Sequence, residues 1–242
     1  MSHSPIALVT GSTRGIGAAI ATALELRGVT VIGHGSRGGD GVIGADLAEP
    51  TAPQALWEEA LERAKSFGAG RIDILVNNAG LFSANPIDAS DIAWLDAWED
   101  TQRINLTSAA QLCRFAVRKW LEDRSTGRIV NIASRAAHRG DSPDHWHYAA
   151  AKAGMVAMTK TIARAYAAKG VLAFAVCPGF TDTSMADDYL ATRGGPGLVA
   201  DIPLGRVATP DEIATIAAFC ALDAPPSMTG AVLDANGASY VR

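Results

Sequence analysis

The chain has 242 residues, 48% hydrophobic and 19% charged, with a formal net charge of −4. That length suits one α/β domain with a full-sized core, and the slight acidity excludes the basic footprint of a nucleic-acid binder. No apolar run reaches the ~20 residues of a membrane span, the start Met1-Ser2-His3-Ser4-Pro5 lacks the basic flank and apolar stretch of a signal peptide, and Cys113, Cys177 and Cys220 lack disulfide-framework or zinc spacing, so a cytoplasmic protein is expected.

Residues 6–10 form a short apolar run ending at Gly11, and 16–26 carry apolar residues at helical spacing, which predicts strand, tight turn, helix. Strands follow at 29–32 and 42–45, an amphipathic helix at 51–65 and a strand at 72–76. A long helix over 92–121 leads to a strand at 128–133, and a helix bearing Tyr148 and Lys152 leads to a strand at 171–176. The last pair is a helix at 210–222 and a strand at 231–234. This alternation predicts a single α/β domain with a doubly wound parallel sheet of about seven strands and helices on both faces, a Rossmann fold. Two stretches break the rhythm. Residues 33–41 are too short and glycine-rich for a crossover helix, so a loop is expected there, and 180–207 reads as a substrate lid at the carboxyl end of a strand.

The turn Gly11-Ser12-Thr13-Arg14-Gly15-Ile16-Gly17 sits between a strand and a helix, where glycines let the backbone approach a pyrophosphate and the helix offers free N–H groups. Asp46, followed by Leu47, is placed to accept a hydrogen bond from an adenine amino group, and Asn77-Asn78-Ala79-Gly80 to line a nicotinamide ribose. No carboxylate follows the second strand until Asp40, while Arg14, Ser36 and Arg37 can meet a 2′-phosphate, so NADP(H) is expected over NAD(H). Tyr148 and Lys152 project from one helical face about one turn apart, with Ser134 upstream. His138, His145 and His147 between them form no helical His-xxx-His pair, so no metal is expected.

Gly11 to Gly17, Asn77 to Gly80, Asn105, Ser134, Tyr148-xxx-Lys152 and Pro178-Gly179 together resemble the short-chain dehydrogenase/reductase family over essentially the whole chain, most closely its 3-oxoacyl carrier-protein reductase-like members. The resemblance implies hydride transfer between nicotinamide and a carbonyl or secondary alcohol, with Tyr148 as proton donor and acceptor. Lys152 would hold the ribose and depress the tyrosine, which needs roughly 4 kcal/mol to move from about 10 to about 7. Ser134 would bond the reacting oxygen, Asn105 a water behind the lysine, and Pro178, Gly179, Thr181 and Thr183 the nicotinamide end. Trp146 and His147 are expected in the substrate wall, and Arg124, Arg128 and Lys169 as a basic patch by the cleft for an acyl carrier protein. The rival is a dehydrogenase of a small cyclic, steroid-like or sugar-derived alcohol; a non-catalytic nucleotide-binding module is disfavoured because Ser134, Tyr148 and Lys152 are all present. Family likeness also implies a homotetramer through the long helices and the last strand.

Overall fold

The computed structural model describes residues 4–39, 41–68, 70–183 and 195–242. The strands are β1 Ile6–Val9, β2 Thr30–Gly35, β3 Ile43–Gly44, β4 Ile74–Asn77, β5 Gly127–Ile132, β6 Val171–Pro178 and β7 Val232–Ala235. The helices are α1 Gly15–Glu25, α2 Ala52–Ser66, α3 Asp91–Gln102, α4 Ser108–Glu122, α5 Ala136–Arg139, α6 Trp146–Tyr166, α7 Gly195–Ala200 and α8 Pro210–Ala218. The strands make one seven-stranded sheet in the order β3-β2-β1-β4-β5-β6-β7, with every neighbouring pair parallel.

The strands are apolar on both sides because both faces are covered. Alternate residues point to opposite faces, so Ile6, Leu8, Leu75 and Ile129 pack with Leu56 and Trp57 of α2 and Leu112 and Trp120 of α4. Ala7, Val9, Val76, Val130 and Phe174 pack with Ile20 and Leu24 of α1 and Ile213 and Ala217 of α8. All eight residues of β6 are buried, as a strand sandwiched between two helical layers requires. The strand order reverses between β1 and β4, which opens a crevice at the carboxyl ends of the strands there.

Three local outcomes differ from the sequence pattern. The helix expected over 92–121 is divided: α3 and α4 are joined by a π-helical turn, Arg103–Thr107, with Asn105 at its middle. Such single-turn insertions re-aim a side chain without ending the helix. The last helix likewise passes into a π turn at Phe219–Asp223, and the four-residue α5 had no signal in the sequence. The crossover between β2 and β3 is a loop, as its glycines predict. Of the expected lid, 184–194 lie outside the described residues; its stems are fastened together, since Asp182 N–H donates to Ala208 O at 2.8 Å and Ala208 N–H to Phe180 O at 2.9 Å. Among the described residues no helix is long and apolar enough to cross a membrane.

Candidate active site

A cleft of about 430 Å³ runs along the carboxyl ends of the strands. At one end lies the glycine turn. Gly11 has φ +65° and a Cβ there would stand 2.9 Å from the Ala79 Cα, while a Cβ on Gly17 would overlap the Gly11 carbonyl oxygen. The turn is also tied to the end of β4: Thr10 Oγ1 accepts from Asn78 N–H and Ala79 N–H, both at 3.0 Å, and Asn78 Nδ2 donates to the Thr10 and Gly11 carbonyls. The N-terminus of α1 has no side-chain cap on Arg14 and no acid in its first turn, so its N–H groups are available to an anion. This cradle, too close for any side chain and open at a helix N-terminus, fits a dinucleotide pyrophosphate.

The cleft wall includes Thr13, Arg14, Gly15, Ile16, Ser36, Asp46, Leu47, Ala79 and Gly80 at this end and Ser134, Tyr148, Lys152, Pro178, Gly179, Thr181 and Thr183 at the other. Four expected cofactor or catalytic residues lie outside that wall. Ser12 is turned to β2, where its Oγ accepts from His34 N–H at 3.0 Å. Arg37 is exposed beyond the end of β2. Asn77 is buried beneath the site, its amide donating to Asn131 Oδ1 at 2.8 Å and to Cys113 Sγ at 3.2 Å. Asn105 is fully buried and clamps one residue from both sides: its Oδ1 accepts from Leu81 N–H at 2.6 Å and its Nδ2 donates to Leu81 O at 2.8 Å.

The substrate wall is a correction. Trp146 is 54% exposed and meets Trp94 edge to face, the His147 side chain is buried within the protein, and neither is among the residues lining the cleft. Phe82 takes that place: its ring stacks on His145 at 4.1 Å and meets Tyr148 edge to face at 4.8 Å. No motif marks Phe82, which reaches the site only because β4 ends there. His34 is a second residue the sequence did not reveal. Buried in β2, it accepts from Gly11 N–H through Nδ1 at 3.2 Å and pairs through Nε2 with Ala45 O at 2.9 Å. A carbonyl partner makes Nε2 the protonated nitrogen, so the ring is neutral, and burial holds its pKa below the usual histidine value.

At the chemical end, Lys152 is almost wholly buried, donates to Ile132 O at 2.9 Å, and lies 5.7 Å from the centre of the Tyr148 ring. Burial pulls its pKa down to about 8. Burial also pushes the Tyr148 phenol up to about 12, against the lowering effect of its hydrogen bond with Ser134, with Asp141 adding to the rise. The protein alone therefore holds Tyr148 as a neutral phenol rather than near 7. Desolvation outweighs the Ser134 hydrogen bond because removal from solvent penalises the phenolate more than one neutral donor stabilises it. Ser134 Oγ accepts from Ala136 N–H at 3.1 Å.

Arg124, Arg128 and Lys169 do not frame this cleft. They precede or begin β5 and β6, at the amino-terminal ends of the sheet, and the Arg128 guanidinium is spent on the Cys220 and Ala224 carbonyls at 3.0 Å.

Fold and site define an oxidoreductase acting on CH–OH groups. A family model described as Enoyl-(Acyl carrier protein) reductase matches residues 11–237. The 3-oxoacyl-(acyl-carrier-protein) reductase of Salmonella typhimurium is 36% identical over 249 residues, covering 98% of this chain and 97% of that protein. The acetoacetyl-CoA reductase of Shinella zoogloeoides is 36% identical over 244 residues, with 98% and 99% covered. A crystal structure of a putative NAD(P) dependent gluconate 5-dehydrogenase from Beutenbergia cavernae, with bound NADP, superposes with a TM-score of 0.86 at 31% identity, covering 97% of this chain and 96% of that one. The chain belongs to the short-chain dehydrogenase/reductase family.

Proposed function

We propose that the chain reduces a 3-oxoacyl thioester with NADPH as its preferred cofactor. When bound, the cofactor supplies hydride to the carbonyl carbon and, once oxidised, a positive charge near Tyr148. Tyr148, a neutral phenol in the resting protein, gives its proton to the developing alkoxide. Ser134, whose Oγ accepts from Ala136 N–H, donates its own proton to the phenol in the resting protein and to the same substrate oxygen once substrate is bound. Lys152, anchored on the Ile132 carbonyl, stabilises the phenolate that remains and holds the ribose. Asn105 acts by fixing Leu81 and the backbone beside it.

The observation that carries this reading is the buried Lys152 ammonium 5.7 Å from the centre of the Tyr148 ring, with Ser134 in the same cleft wall. NADPH is favoured because Arg14 and Ser36 line the adenosine end while β2 ends in Gly35 with no carboxylate following at Ser36 or Arg37. Support for the thioester comes from the two reductase relatives that the chain matches over nearly its full length. Arg135 and Asp141, both in the cleft wall, favour a second reading, oxidation of a sugar-derived secondary alcohol, for which the gluconate dehydrogenase likeness is the other support. Initial rates with NADPH and acetoacetyl-CoA, set against rates with NADP and gluconate, separate the two. An acyl carrier protein as thioester donor, and assembly as a homotetramer, extend the same proposal; exposed Ile87, Ile92, Leu95 and Trp146 on and around α3 and α6 suit a subunit surface. Sedimentation giving only monomer would remove the assembly.

A further inference from the structure

Behind the segment that follows Ser134, three potential metal ligands from three separate elements converge: His138 of α5, Cys177 of β6 and Asp234 of β7. We propose that they form a binding site for a thiophilic divalent cation, zinc in particular, distinct from the catalytic cleft.

The sheet register makes two of the ligands neighbours. Cys177 and Asp234 are paired across β6 and β7, so both side chains leave the same face of the sheet. α5 lays His138 over that face, with Nε2 3.7 Å from Cys177 Sγ. A tetrahedral zinc with Zn–N of ~2.0 Å and Zn–S of ~2.3 Å holds those two atoms about 3.5 Å apart. The pair therefore already stands at nearly the separation that the ion would impose. All three ligand atoms lie within 4.8 Å of one another, and the carboxylate, which has the furthest to move, is the exposed member on an edge strand. That exposure also gives an ion its way in and leaves a fourth position for water, as in three-ligand zinc sites.

The surroundings suit the ligand chemistry. The His138 ring lies parallel to Tyr240, 3° between planes, which fixes its orientation. Burial lowers the His138 pKa, keeping the imidazole neutral as a ligand must be. Burial raises the Cys177 thiol to about 11, so the thiol keeps its proton until a cation replaces it. Binding then exchanges one proton, released to solvent, for one Zn–S bond, with no change of oxidation state. Arg242 competes, since its Nε is 2.8 Å from Asp234 Oδ2. Occupancy would join His138 of α5, four residues beyond Ser134, to the edge of the sheet. Sequence spacing conceals the site because the three ligands are distant in the chain.

The test is titration of the purified full-length protein with Co²⁺ and Zn²⁺, comparing wild type with Cys177→Ala, Asp234→Asn and Arg242→Gln. Wild type is expected to take up one ion per chain, with a thiolate-to-cobalt charge-transfer band and release of one proton. Cys177→Ala should lose the band, and Asp234→Asn, at an exposed position that folding tolerates, should bind at least about tenfold more weakly. Arg242→Gln, which removes the competing cation, should bind more tightly. Absence of a charge-transfer band in wild type, or an affinity unchanged by both Cys177→Ala and Asp234→Asn, would overturn the proposal.

Discussion

Lys152 stands one helical turn beyond Tyr148 with its ammonium 5.7 Å from the phenol ring centre; the lysine is buried, the tyrosine half-buried, and both line the same cleft. Two shifts of opposite sign result, the lysine down to about 8 and the tyrosine up to about 12. Each group is pushed towards its neutral form because partial removal from solvent disfavours its charged form.

The lysine shift makes stability depend on pH. Its value is lower folded than unfolded, so the unfolded chain binds more protons between pH ~8 and ~10.5, and stability must rise with pH across that window. The full gain is present above the unfolded value and lost as pH falls through the folded one. Denaturant unfolding of the cofactor-free protein from pH 7.5 to 9.5, referenced to Lys152→Met, should show wild type gaining with rising pH, on the order of 1 to 2 kcal/mol over that range. A flat difference would mean that the ammonium is solvated.

His34 holds the cofactor turn from below through a neutral ring. Replacing it with Ala removes the bond to Gly11 N–H and the bond to Ala45 O, each worth about 1 kcal/mol. NADPH binding, followed by fluorescence titration, should weaken about tenfold or more, with kcat altered less. In wild type the folded pKa lies below the unfolded value, so this contribution is present above pH ~6.5 and fades as pH falls through the lower folded value.

Gly17 admits no side chain. A methyl group there would overlap the Gly11 carbonyl oxygen, whereas one on Gly39 would meet nothing within 4 Å. Gly17→Ala should abolish measurable NADPH binding and lower the unfolding free energy by roughly 1 to 3 kcal/mol, while Gly39→Ala should fall within about 0.5 kcal/mol of wild type. Equal effects of the two changes would mean that the turn relaxes freely.

Cofactor preference should be reversible at one position. Ser36 lines the cleft just past β2, where a carboxylate accepts both ribose hydroxyls and repels a 2′-phosphate. Ser36→Asp should shift the ratio of kcat/KM for NADPH over NADH at least about tenfold towards NADH. An unchanged ratio would place the phosphate elsewhere.

The parallel sheet was legible because its strands are short apolar runs spaced by amphipathic helices, and the glycine turn, Ser134, Tyr148 and Lys152 because their chemistry requires those residue types in that order. What escaped depends on contacts between distant segments. His34 looked like part of a glycine-rich loop, yet β2 runs on through Gly35 and buries it. Phe82 carries no pattern and becomes a wall only by stacking on His145. Trp146 was expected in the pocket because it lies between Ser134 and Tyr148, but the rotation of α6 that aims Tyr148 inward leaves Trp146 half exposed against Trp94. The π turn around Asn105 had no signal, because no Pro or Gly marks Arg103–Thr107 and the apolar pattern of the helix runs through it.

The central claim is that Tyr148 delivers the proton during NADPH-dependent reduction of a 3-oxoacyl thioester. Initial rates of NADPH oxidation with acetoacetyl-CoA, measured side by side for wild type and Tyr148→Phe, test it most directly. The account predicts turnover by wild type and a loss of about 10²- to 10⁴-fold in kcat for the variant, with NADPH binding retained. Turnover by Tyr148→Phe close to that of wild type would contradict it.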